Sequence, residues 1–286
     1  MQLKIESIGE DILQSKHVFY NLHSSFKNAV NFISEHGFLV SIVTKEVGAG
    51  PNNLVIDLSD VRNISSFEIL QENLVKINGK LLNISKDVEL YRSNLEEINT
   101  ANLNYFVKSL LLFKHFLLRN APALSSAFLL DERRKNFFIT PFEKNLYDSI
   151  EKNVQSFLSG DLHALKKLKG LGFGLTPQGD DLINGFIIAI HLYGKLLNKE
   201  TRPIKYKIYE FSKGSNVISD TFLKYSVSGR LYFRMKNLIM SMLFNKAEIK
   251  NNTLSLLKIG ETSGSDIGTG FILMFEKLLQ GGLEWL

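Results

Sequence analysis

The period of the hydrophobic pattern changes near residue 92, and this constrains the fold more than any other feature of the sequence. Upstream, short β-branched runs lie between chain breakers. Phe38 to Val43 follows His36-Gly37, and Leu54 to Asp57 follows Gly48-Ala49-Gly50-Pro51-Asn52-Asn53. Val75-Lys76-Ile77 and Lys80-Leu81-Leu82 flank Asn78-Gly79, a pair suited to the positive φ angles of a tight hairpin turn. Downstream, Leu103, Phe106, Val107, Leu110, Leu111 and Phe113 to Leu118 recur at three- and four-residue spacing, which predicts a helix with a broad buried face. Further helices are expected at Pro141 to Leu158, Leu162 to Lys169, Pro177 to Leu197, Tyr206 to Val227, Leu231 to Leu243 and Gly268 to Leu279. The chain is therefore read as α+β: a small antiparallel, barrel-like β domain over residues 1–92, then a mainly α-helical domain over 93–286. The absence of strand–helix–strand alternation argues against a doubly wound nucleotide fold.

Composition narrows the function classes. With 286 residues and 44% hydrophobic content the chain can bury a core in each of two domains. Its formal charge of +5 is scattered, not gathered into the basic stripe of a nucleic-acid binder. There is no cysteine, which removes disulfides, thiolate nucleophiles and cysteine-ligated metal. The start at Met1-Gln2-Leu3-Lys4 lacks signal-peptide character. The apolar stretches near Leu110 to Leu118 and Phe186 to Leu197 are too short or are interrupted by Lys114, His115, His191 and Lys195. A cytoplasmic protein with neither nucleic-acid nor membrane partners is expected.

The chemistry-bearing signal is a repeat. Gly170-Leu171-Gly172-Phe173-Gly174-Leu175-Thr176-Pro177-Gln178-Gly179-Asp180-Asp181 runs into the apolar segment Leu182 to Ile190. Thr176-Pro177 predicts an N-cap followed by proline at the first helical position. Gly179 in the first turn costs up to roughly 1 kcal/mol relative to alanine, so its expected use is to let a ligand or another backbone approach the helix start. A second copy follows 85 residues later, since 264 − 179 = 85. Gly179-Asp180-Asp181-Leu182-Ile183-Asn184-Gly185-Phe186-Ile187 aligns with Gly264-Ser265-Asp266-Ile267-Gly268-Thr269-Gly270-Phe271-Ile272. Hydroxyls precede each copy, Thr176 in the first and Thr262-Ser263 in the second. Gly185 and Gly270 would let the two helices pack closely, so the two starts are expected to form one site.

Asp181 and Asp266 are the candidate catalytic residues. Gly174, Thr176, Gln178, Gly179, Asp180, Asn184, Ser219, Thr262, Ser263, Gly264 and Ser265 are the candidate substrate-binding residues. Carboxylates repel anions, so an anionic ligand would need helix N–H groups, whereas an amide or ureido ligand offers a carbonyl to those groups and an NH2 to an aspartate. Alternatively, the acids could hold Mg²⁺, the one cofactor considered. Ser219 enters through the polar Asn216 to Tyr225 segment, set in an apolar helical pattern. Lys166, Lys167 and Lys169 are expected to complement the preceding helix C-terminus. The six histidines (His17, His23, His36, His115, His163 and His191) lack metal-ligand spacing. His191, on the face of Asp181, Asn184 and Ile188, is expected to be a core or surface residue. There is neither a dinucleotide nor a Walker fingerprint, nor a nucleophile elbow.

At these residues the chain resembles the AllH-type subunit of oxamate carbamoyltransferase. The resemblance rests on Gly172 to Asp181 with Gly185, on Asn216-x-Ile218-Ser219 through Gly229-Arg230, and on Thr262-Ser263-Gly264-x-Asp266 with Gly270. Gly50-Pro51-Asn52-Asn53 is the comparable mark in the β region. Gln178 replaces a small serine and Glu261 a common histidine, which puts a changed substrate preference in play. The resemblance implies a carbamoyltransferase working with other subunits in purine or allantoin breakdown, converting oxalurate and phosphate to oxamate and carbamoyl phosphate. Thr176, Thr262, Ser263 and helix N–H groups would then take carboxylate or carbamoyl oxygens, and Asp181 and Asp266 the ureido N–H groups or a metal. Two other readings are weighed against it. Gly264 to Gly270 is similar to the acidic helix start of magnesium-dependent ADP-ribosylglycohydrolases, although their second acidic position falls on Gly268. The third is a non-catalytic ligand-binding or scaffolding subunit.

Overall fold

A computed structural model describes residues 3–14, 18–71, 73–95, 98 and 102–281. It divides into two compact units, Met1–Leu95 with Arg230–Lys236, and Glu96–Gly229 with Asn237–Leu286. His17 lies outside the described residues.

The first unit is a curled nine-stranded sheet, a half-barrel. Its strands are β1 (Ile5–Gly9), β2 (Val18–Ser25), β3 (Ala29–Ser34), β4 (Leu39–Thr44), β5 (Asn53–Ile56), β6 (Phe67–Gln71), β7 (Leu74–Ile77), β8 (Lys80–Asn83) and β9 (Glu89–Tyr91), with the short helix α1 (Glu10–Gln14) after β1. They lie in the order β8-β7-β6-β2-β3-β4-β5-β1-β9. Alternate residues Val30 and Phe32, Val40 and Ile42, Leu54 and Ile56, and Phe67 and Ile69 fill one side, as the two-residue strand period requires. The β7–β8 hairpin turns at Asn78 (φ 47°) and Gly79 (φ 77°), as Asn-Gly predicts. The sheet is mixed, unlike the antiparallel sheet expected, because β4 pairs with β5 and β1 with β9 in parallel. The Gly50-Pro51-Asn52-Asn53 corner sets the first of these pairings. The Asn52 side-chain amide donates to the Leu39 carbonyl at 3.0 Å, and Ser41 N–H donates to the Asn52 carbonyl at 3.0 Å. This corner is therefore a fold element.

The second unit is helical. It contains α2 (Leu103–Asn120), α3 (Pro141–Leu158), α4 (Ala164–Leu168), α5 (Gln178–Leu197), α6 (Arg202–Ser212), α7 (Val217–Val227), then α8 (Phe233–Phe244), α9 (Ile249–Leu256) and α10 (Ser263–Gly281). The first turn of α8 groups with the sheet unit. Helix α3 begins with a Thr140–Glu143 capping box and Pro141 in its first turn. The single helix expected over Tyr206 to Val227 is two. Lys213-Gly214-Ser215-Asn216 breaks it, and the Asn216 side chain caps α7 by accepting from Ile218 and Ser219 N–H, both at 3.1 Å. Helix α10 starts five residues before the expected Gly268, which lies inside it against Leu117 and Phe113. Among the described residues no helix is long and apolar enough to cross a membrane.

Candidate functional site

The two Gly-x-Asp copies open α5 and α10, and these helices lie against each other along their length. A Cβ built on Gly185 would sit 2.2 Å from the Ile267 carbonyl oxygen, and one on Gly270 would sit 2.2 Å from that of Leu182. The offset of 85 maps Leu182 onto Ile267 and Gly185 onto Gly270. Each helix thus offers the same glycine to the same carbonyl of the other, a local two-fold. The helices run in the same direction: Thr176 and Ser263 meet at the starts, with Oγ1···Oγ 3.1 Å, and Tyr193 and Phe275 meet further along, with ring centroids 5.9 Å apart. The expected meeting of the two helix starts is therefore observed.

The first-turn glycines serve a structural purpose. A Cβ on Gly179 would stand 1.9 Å from the Leu168 carbonyl oxygen, and one on Gly264 the same 1.9 Å from that of Leu256. Leu168 and Leu256 are the last residues of α4 and α9, so each start is seated on the end of the preceding short helix. What approaches is backbone, not ligand. The α5 N–H groups are also occupied: Gly179 donates to Leu171 at 2.8 Å, while Asp180 and Asp181 donate to Pro177 at 2.9 and 3.1 Å. These three N–H groups of α5 are therefore taken by protein carbonyls. Thr176 does not cap α5 either. Pro177 holds that position without a side-chain bond, and the Thr176 hydroxyl donates to Asp181 Oδ2 at 3.1 Å.

The acids divide in two. Asp180 is turned away, accepting Gly170 N–H at 2.7 Å and pairing with Lys169 at 2.9 Å, so it fastens the glycine loop. Asp181 and Asp266 are both buried beside the paired starts. Burial pushes the Asp181 carboxyl well above the usual range, and the neighbouring Asp266 adds to it against hydrogen bonds from Ser263 and Thr176. Burial pushes Asp266 up to about 7, opposed by Ser126 and the Thr262 side chain. Helix starts favour anions by at most about 2 kcal/mol, whereas burying a carboxylate costs several. Burial wins, so both carboxyls hold their protons to higher pH than a free aspartate does.

Ser125 and Ser126 line the same place and carry no motif that would have singled them out. Ser126 N–H donates to Asp266 Oδ1 at 2.6 Å, and Ser265 Oγ bonds Ser125 Oγ at 3.1 Å. They come from a 3-10 turn, Ser126–Leu129, after Pro122. Helix α7 brings its start to the same end, because the Asn216 amide donates to the Leu175 carbonyl at 2.7 Å and Ser226 bonds Asn184. Ser219 lies two turns before Ser226 on that α5-facing stripe, with a buried hydroxyl that has no hydrogen-bond partner among the described residues. Gln178 reaches the Leu124 carbonyl at 2.7 Å, a fastening role. Gly174 (φ 86°) is exposed in the loop with no heavy atom within 4 Å of a Cβ, and Glu261 is exposed.

The remaining candidates make contacts of their own. Lys166 stacks over Phe211 at 5.2 Å. His191 is held neutral, its pKa pushed down to about 3 by burial and then by Lys205, whose Nζ is 3.1 Å from Nδ1. Among the described residues no group of three or more His, Asp or Glu side chains could hold a metal ion.

In comparisons with known proteins, residues 168–275 match the family model described as oxamate carbamoyltransferase subunit AllH, and residues 4–97 match that of the AllH family N-terminal domain. No solved structure matches the chain. The first match runs from the end of α4 to Phe275 in α10, and so contains both Gly-x-Asp copies. The chain belongs to the AllH family, a family of carbamoyltransferase subunits.

Proposed function

We propose that this chain binds the ureido end of oxalurate in a multi-subunit carbamoyltransferase that converts oxalurate and phosphate to oxamate and carbamoyl phosphate. The observation that carries the reading is the joined cluster of Thr176, Ser263, Asp181 and Asp266 across two helix starts. Hydroxyls, and carboxyls that hold their protons to higher pH than a free aspartate, suit a neutral amide better than a free anion. In this reading the hydroxyls of Thr176 and Ser263 turn from Asp181 to donate to the carbamoyl oxygen, and the carboxyl oxygen they release on Asp181 accepts a ureido N–H. Phosphate oxygen forms the new bond to the carbamoyl carbon as the bond from that carbon to the oxamate nitrogen breaks. The leaving nitrogen takes a proton from the carboxyl of Asp266, whose pKa of about 7 suits a general acid. The proton of the attacking hydrogen phosphate restores it. The same reading places the chain in cytoplasmic purine or allantoin breakdown.

Titration calorimetry of the enzyme with oxalurate, oxamate and, separately, ADP-ribose with Mg²⁺ tests the proposal. Binding of oxalurate that weakens at least tenfold in Asp181→Asn is expected. Binding of ADP-ribose with Mg²⁺ and not of oxalurate would replace the reading with a hydrolase.

A further inference from the structure

Next to the paired helix starts the helical unit exposes apolar side chains where the backbone conformation is itself demanding. Gly170, Gly172 and Gly174 all adopt positive φ (80°, 115° and 86°), alternating with Leu171, Phe173 and Leu175. This loop presents Phe173, 57% exposed, against Phe142, 64% exposed, with ring centroids 5.6 Å apart. Ile139, just before the Thr140 cap of α3 and three residues before Phe142, is 73% exposed, and Leu124, whose carbonyl accepts from Gln178 at the start of α5, is 36% exposed. Leu175 directly precedes Thr176 of the site. Large aromatic and aliphatic groups grouped around a polar site mark a surface that another chain covers.

The anionic groups of the proposed substrate say what that chain carries. The acids Asp181 and Asp266 lie at the helix starts, while Lys169, the cation of this loop, is paired with Asp180 at 2.9 Å. The N–H groups of Gly179, Asp180 and Asp181 are bonded to protein carbonyls. No unpaired cation among these residues is left to meet an anionic phosphate or carboxylate. We infer that the collar of Leu124, Ile139, Phe142, Phe173 and Leu175 is the docking face for another subunit of the enzyme. That subunit lays apolar side chains on the collar and extends a lysine or arginine over the site. The chemistry of the extended cation rests on the proposed function; the docking face does not.

The test uses the chain co-expressed with the other subunits of the carbamoyltransferase. The double substitution Phe142→Ser, Phe173→Ser removes the two central rings from solvent-exposed positions, so the chain should keep its thermal midpoint. Its dissociation constant for the assembled partner should rise at least tenfold, while Phe19→Ser, on an exposed ring of the sheet unit (65% exposed), should leave it unchanged. Unchanged affinity in the double variant would overturn the proposal. So would assembly of this chain with a second copy of itself through these residues, shown by a concentration-dependent dimer that the double substitution dissolves. A photoreactive benzoylphenylalanine at position 173 should crosslink to a partner peptide bearing a lysine or arginine within a few residues, and a peptide without one would overturn the cation. If the crosslink forms but the assembly does not bind oxalurate, the docking face stands and the substrate reading fails.

Discussion

At Asp266 the positive end of α10 and the loss of water pull the carboxyl in opposite directions, and the outcome can be measured through stability. Its pKa moves from 3.8 to about 7 in the folded chain. Between those values the folded protein holds a proton that the unfolded chain has released. Stability therefore falls as pH rises across that window, by up to about 1.4 kcal/mol per pH unit for one proton. Asp181 is shifted in the same direction and adds to the fall. Asp266→Asn, which keeps an acceptor for Ser126 N–H, should flatten this dependence in urea denaturation between pH 4 and 7, and an unchanged slope would show that the carboxyl is ionised throughout. Asp180 is the contrasting case. Its partner Lys169 is mostly buried, so Lys169→Met leaves an uncompensated buried carboxylate and should cost about 3–5 kcal/mol. Adding Asp180→Asn to that variant should recover much of the loss, a double-mutant coupling absent if the pair is merely adjacent.

Helices α5 and α10 owe their pairing to two glycines. Alanine at Gly185 or Gly270 gains up to roughly 1 kcal/mol in helix propensity, but its Cβ would stand 2.2 Å from a carbonyl oxygen of the facing helix. Backbone on both sides leaves little room to yield, so each substitution should cost roughly 3 kcal/mol and lower the thermal midpoint by several degrees. A neutral Gly185→Ala would contradict the close approach. These glycines were legible in the sequence because they recur at a fixed offset inside otherwise apolar helices, and the joining of Thr176 to Ser263 followed from them. The role of Gly179 was not legible, since a first-turn glycine admits a ligand and a neighbouring carbonyl equally, and only the position of Leu168 decides between them. Ser125 and Ser126 were hidden for a different reason: they reach Ser265 and Asp266 from 140 residues away through a 3-10 turn with no periodic pattern. The break between α6 and α7 was marked by Gly214-Ser215-Asn216, but the apolar spacing on either side continues in phase and conceals it.

For the whole molecule, the change of hydrophobic period near residue 92 predicted a β-rich part followed by a helical one, and the half-barrel and the helical unit answer to it. The strand order did not follow from periodicity, because the parallel pairing of β4 and β5 depends on how Asn52 bonds across to Leu39. In the proposed account the chain holds the ureido end of the substrate and supplies the general acid but no cation for the phosphate, so it should show no phosphorolysis alone and should gain it on assembly with its partner subunits. Turnover by the isolated chain would remove the need for a partner's cation. The most direct measurement is the affinity of the assembled enzyme for oxalurate when Thr176→Val and Ser263→Ala are combined. Two lost hydrogen bonds of about 1 kcal/mol each predict a dissociation constant raised roughly 30-fold with the assembly intact. Unaltered affinity in an intact assembly would show that the paired helix starts do not hold the substrate.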